Sequence, residues 1–178
     1  MSEEKKEPWL NYLALTTVIL AVCATLATFK GGGYSTKSVL SQTRASDQWA
    51  YYQAKSLKGY LYELQKDKLQ LELKALQARD SLSVAKDYEG RIADYGKKIT
   101  KYEEERNTIQ SEAKKLEAAR DDAQKHAQTF GIAVIFLQIA ILLSSIAALM
   151  KKKPLWIIGM AVGVCGVVYF INGFLLFM

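Results

Sequence analysis

The chain has 178 residues, half of them hydrophobic, with 24 Lys and Arg against 18 Asp and Glu, a formal charge of +6, one histidine and two cysteines. The length allows one ordinary domain, and so few cysteines and histidines exclude a disulfide framework and a zinc site built within one chain. The distribution excludes a soluble globule: 34 charged residues fall between Lys30 and Thr129, and none falls within residues 9–29, 130–150 or 155–178.

Residues 1–8 form a polar tail containing Lys5 and Lys6. Residues 9–29 follow as the first predicted transmembrane helix. At ~1.5 Å per residue the three apolar segments reach roughly 31–36 Å, enough for a hydrocarbon core of ~30 Å. The first is longer than the apolar core of a cleaved signal peptide and no small-residue cleavage site follows it, so it reads as a signal anchor. Cys23 lies in the first span and Cys165 in the third, where each is most simply a small apolar residue.

Residues 30–45 read as a glycine-containing linker or helix start. The stretch Lys30-Gly31-Gly32-Gly33-Tyr34-Ser35-Thr36-Lys37-Ser38 invites comparison with a phosphate-binding loop, but Thr36 stands where the loop needs glycine before Lys-Ser. A span precedes it instead of a buried strand. The expectation is a flexible break, with Ser35 or Thr36 available as an N-cap.

Residues 46–129 read as a charged helical hairpin. On the first arm the apolar residues Leu57, Leu61, Leu64, Leu71, Ala75, Ala78, Leu82 and Ala85 step by heptad intervals, with Lys68 as the discordant member. On the second arm Tyr88, Ile92, Tyr95, Ile99, Tyr102, Arg106, Ile109, Ala113, Leu116, Arg120, Ala123, Ala127 and Phe130 do the same. An unbroken helix of ~80 residues would hold its ends ~120 Å apart, yet both ends attach to spans on one membrane face. The chain must turn back, and Asp80, Ser81, Ser83, Asp87 and Gly90 place the turn between 80 and 90, with Gly96 as a competing hinge. Leu69, Leu73 and Leu76 form a second apolar row that an antiparallel pair leaves over, which predicts bundling of hairpins between subunits.

Trp49, Tyr52 and Tyr60 can share one helical face. With the turn near Gly90, Trp49 comes level with Phe130 at the membrane surface, where Trp and Tyr are favoured; a subunit contact is the alternative. His126 reads as structural, since it has no second histidine to complete a metal site or triad. The carboxylates are interspersed with lysines on outward helix faces, where no cleft shifts their pKa. No catalytic, cofactor or metal site is expected. The basic excess is also too evenly mixed for a nucleic-acid surface.

Residues 130–150 are the second predicted span, residues 151–154 a basic turn, and residues 155–178 the third span. Gly159 and Gly163 form a G-x-x-x-G, and Ala140, Ser144 and Ala148 a small-residue ladder; such faces let helices approach closely. Gln138 and Asn172 can hydrogen-bond between helices or subunits. The tail and the Lys151-Lys152-Lys153 turn share one side. Short basic loops stay cytoplasmic while loops over ~60 residues translocate regardless of charge, which puts the hairpin outside the cytoplasm, although Lys30, Lys37, Arg44 and Lys125 flank the spans on that side.

The stretches Trp9-Leu10-Asn11-Tyr12-Leu13-Ala14-Leu15-Thr16-Thr17 and Ala45-Ser46-Asp47-Gln48-Trp49-Ala50-Tyr51-Tyr52-Gln53-Ala54-Lys55-Ser56, with the glycine-rich exit between them, resemble the membrane proteins grouped as domain of unknown function 4337. The resemblance implies a bacterial inner-membrane protein and brings no activity or functional residues with it. The sequence as a whole predicts an all-α membrane protein with three transmembrane helices and an antiparallel coiled-coil hairpin outside the bilayer. Its expected task is that of a non-enzymatic scaffold, partnered by the bilayer, by further copies of itself or by another membrane protein. The alternative is a subunit of a channel or transport complex, lined by Thr16, Thr17, Thr25 and Thr28 or by Gln138.

Overall fold

A computed structural model describes residues 8–77 and 82–177. Among the described residues there are three helices: α1 (Pro8–Gln77), α2 (Leu82–Met150) and α3 (Lys153–Leu175). Each contains a stretch long and apolar enough to cross a membrane. The chain folds as two compact units, one from the residues up to Leu40 together with those from Ala119 onward, the other Ser41–Ala118.

Two boundaries differ from the sequence expectation. No break separates the first apolar stretch from the charged region, because α1 runs through residues 30–45 without interruption. Thr36 is not a cap; its hydroxyl donates to the Gly32 carbonyl inside the helix at 3.0 Å. Gly31 serves close packing, since a Cβ there would stand 3.0 Å from the Phe130 Cβ. Second, α2 has already begun at Leu82, so Asp87, Gly90 and Gly96 are helical. Ala78, Asp80 and Ser81 lie outside the described residues.

The unit containing the chain termini is a three-helix assembly. Its core consists of Leu20 and Ala24 on α1 against Leu137 and Ala140 on α2, and of Ala27 against Phe130 and Ala133. Tyr169 and Phe170 of α3 pack on the second cluster. Small residues set the α2–α3 distance: added Cβ atoms at Gly166 and Gly173 would stand 2.8 Å from Leu137 and 2.7 Å from Phe130. The short turn between these helices is closed by Lys151 in the left-handed region (φ 50°), with the Lys152 amide donating to the Ala147 carbonyl at 3.1 Å. Proline in the first turn of α3 lacks only a hydrogen bond that a helix start does not need.

The other unit pairs residues 41–77 of α1 with residues 82–118 of α2. Pairing runs antiparallel, because Trp49 meets Glu117, Lys55 meets Glu105 and Tyr62 meets Tyr95 and Tyr102. Along α2 the inward positions are Ala85, Tyr88, Ile92, Tyr95, Ile99, Tyr102, Arg106, Ile109, Ala113 and Leu116, in the heptad the sequence predicts.

Along α1 the phase differs from the expectation. The inward positions are Ser41, Ala45, Gln48, Tyr52, Lys55, Gly59, Tyr62, Lys66, Leu69, Leu73 and Leu76. Leu69, Leu73 and Leu76, read as a spare row, therefore face the partner helix. Leu57, Leu61, Leu64 and Leu71, read as the seam, are 62%, 51%, 67% and 68% exposed. The helix keeps steps of three and four from Leu13 onward with no skipped residue, so a stripe two positions out of phase stays outside.

Candidate interaction surface

The α1–α2 seam of residues 41–118 is polar and aromatic in its middle. Tyr102 enters the space left by Gly59, where an added Cβ would lie 3.8 Å from the Tyr102 Cβ. Tyr62 stacks on Tyr102 at 5.7 Å between ring centres. Lys98 lies 5.0 Å from the Tyr62 ring centre, and Arg106 lies 5.7 Å from that of Tyr52. Such cations over aromatic faces let long basic side chains cover a seam while keeping their charge.

Among the described residues, one ion pair closes across this seam. Lys55 donates to Glu105 at 2.6 Å, with side chains 17% and 33% exposed. That hydrogen bond is the main reason the Lys55 ammonium is held above its ordinary value and the Glu105 carboxyl below its own, partial desolvation opposing both. An oppositely charged pair at facing seam positions fixes which residues face one another.

Trp49 and Tyr52 belong to the same seam. The Trp49 indole donates to Glu117 at 2.8 Å and meets Tyr52 edge-on at 5.4 Å. Trp49 is thus level with Glu117 across the seam. Tyr60 separates from the other two and is exposed beside the outer leucines.

Those leucines form the candidate surface. Leu57, Leu61, Leu64 and Leu71 recur at heptad spacing on the outside of α1, flanked by Ala54 and Ala75, which are also exposed. In the same unit the outward face of α2 carries one large exposed apolar residue among those described, Val84. The apolar stripe therefore belongs to α1 alone. Lys68 interrupts it and lies 3.9 Å from Glu72.

The remaining candidates lie in the other unit. Gly159 and Gly163 are buried against α2 and α1: added Cβ atoms would meet Leu143 at 3.2 Å and Leu20 at 3.1 Å. Ser144 is fully buried opposite Gly159, and its hydroxyl has no hydrogen-bond partner. Gln138 is exposed on the outside of α2. Thr16 and Thr17 both donate to the Leu13 carbonyl, Thr25 to Ala21 and Thr28 to Ala24, so all four hydroxyls bond to their own helix.

Sequence reasoning assigned His126 no specific partner. Its ring stacks on Tyr34 at 4.4 Å and its Nδ1 lies 2.7 Å from the Gly173 carbonyl, near the C-terminal end of α3. With Nδ1 carrying the proton, the imidazole ties all three helices together at a point where helix carbonyls lack internal partners. Asn172 accepts from the Phe177 amide at 2.8 Å, so its side chain serves the end of its own helix.

The chain belongs to the family described as domain of unknown function (DUF4337), whose model matches residues 9–176. No curated protein and no solved structure matches it.

Proposed function

We propose that this family member is a non-enzymatic membrane scaffold that self-associates through the leucine stripe of α1, with the two-helix region of residues 41–118 standing outside the bilayer. The stripe carries the reading: four leucines at heptad spacing, mostly exposed, on a helix whose opposite face is already occupied. Two copies anchored in one membrane bring their stripes side by side, and burying each leucine contributes roughly 1 kcal/mol from the half of its surface still exposed. A second copy fits better than an unrelated helix because the stripe matches itself layer by layer. The Lys68 layer, where each ammonium can turn to Glu72, acts as the single polar position that sets register and subunit number.

Membrane placement rests on the three apolar segments. The hairpin is placed on the extracytoplasmic side of an inner membrane by the loop-length rule. Reporters inserted between Gln77 and Leu82 and fused after Met178 test this: activity of a cytoplasm-only reporter at either position would reverse it.

Light scattering in mild detergent tests self-association. The native chain is expected as an oligomer, and Leu61→Glu/Leu64→Glu as a smaller particle with unchanged helicity, because both side chains are exposed within one copy. A native chain that is strictly monomeric, or a double variant that stays fully associated, would overturn the proposal.

A further inference from the structure

Three consecutive glycines lie in α1 just beyond its apolar stretch, and only one is explained by packing. Gly31 faces Phe130. Added Cβ atoms at Gly32 and Gly33 would meet nothing within 4 Å. Each exposed helical glycine costs about 1 kcal/mol relative to alanine, and at Gly32 and Gly33 no close packing among the described residues offsets that cost.

The missing side chains leave an open, shallow notch on one side of α1, bordered by residues that include Phe29, Lys30, Gly33, Thr36 and Lys37. Lys30, Gly33 and Lys37 stand at i, i+3 and i+7, on one face, with Leu26, Phe29 and Leu40 exposed along it. The two lysines lie about 10 Å apart along the helix, one on each side of the notch, so both ammonium groups can converge over Gly33. No carboxylate occurs on α1 before Asp47, and neither lysine is ion-paired among the described residues.

We propose that this notch binds the phosphate of an anionic phospholipid headgroup, held by Lys30 and Lys37 over Gly33, with an acyl chain along Phe29 and Leu26. The apolar run ends at Phe29, which sets the first lysine at the depth of lipid phosphates. Charge and depth select this occupant: two lysines with no carboxylate on α1 before Asp47 stand where the apolar run gives way to the charged region. The inference depends on membrane placement of α1 and not on self-association.

Native mass spectrometry of the full chain, exchanged into detergent with equal phosphatidylglycerol and phosphatidylcholine, tests it. Wild-type protein is expected to retain phosphatidylglycerol preferentially. Lys30→Gln/Lys37→Gln should lower that preference roughly 30-fold at low ionic strength, the effect of two basic residues beside anionic lipid. Gly33→Leu keeps both charges, raises helix propensity and fills the notch, so it should lose most of the bound lipid while keeping helicity. Lys97→Gln/Lys101→Gln, on exposed positions of α2, should leave retention unchanged. No preference in the wild type, or full retention by Gly33→Leu, would overturn the site. So would protection from heat by inorganic phosphate equal to that by short-chain phosphatidylglycerol, which would mark a free-phosphate site, or a Gly33→Leu effect confined to subunit number, which would mark a helix contact.

Discussion

Lys55 occupies an inward heptad position that an aliphatic residue would normally fill, and it remains charged there because Glu105 lies 2.6 Å away. The depressed Glu105 carboxyl gives a stabilisation that is complete above its ordinary value of 4.5 and is lost as pH falls through the lower folded value. The raised Lys55 ammonium gives one that is complete below 10.5 and is lost as pH rises through the higher folded value. Between those limits the pair adds no pH dependence. Thermal melts followed by helix signal should therefore show a drop on acidification below pH 4.5 that is smaller in Glu105→Gln than in the native chain. Equal drops would show that the pair does not couple to folding. Neither this pair nor the tie from His126 to Gly173 was legible in the sequence, because each depends on a helix brought close from about 50 residues away.

At the scale of elements, glycines at different helical positions should respond in opposite directions. An added Cβ at Gly166 would stand 3.0 Å from the Leu137 backbone nitrogen, which cannot rotate away. Gly166→Ala should then push α2 and α3 apart at a cost of about 1–3 kcal/mol. Gly90, a turn-favouring residue by sequence, is helical with nothing within 4 Å of an added Cβ, so Gly90→Ala should gain about 1 kcal/mol from propensity. Thermal stability in detergent checks both signs; a destabilised Gly90→Ala would return the reversal of the chain to that region. The α2 seam could be read from sequence because tyrosine, isoleucine or alanine stands at most of its positions. The α1 seam could not, since Gln48, Lys55, Gly59 and Lys66 interrupt it while four leucines two positions away give a stronger apolar signal. The spacing of the small residues on α3 was legible, and the short basic turn brings that face onto α2, where Gly166 and Gly173 complete it.

At the scale of the molecule, the segregation of charged from apolar segments already dictated three helices able to cross a membrane and a charged region that doubles back. What changed is which side of α1 remains available. The row expected to recruit other subunits is used internally, and the row expected to close the hairpin is left outside. The proposal of self-association survives that exchange, but its residues are now Leu57, Leu61, Leu64 and Leu71.

Cysteine cross-linking in native membranes tests this most directly, in a background with Cys23 and Cys165 replaced by alanine. The account predicts a covalent dimer from Leu61→Cys or Leu64→Cys under mild oxidation, and none from Glu104→Cys on the outward face of α2. Absence of dimer at both leucine positions, or equal cross-linking at Glu104, would contradict it.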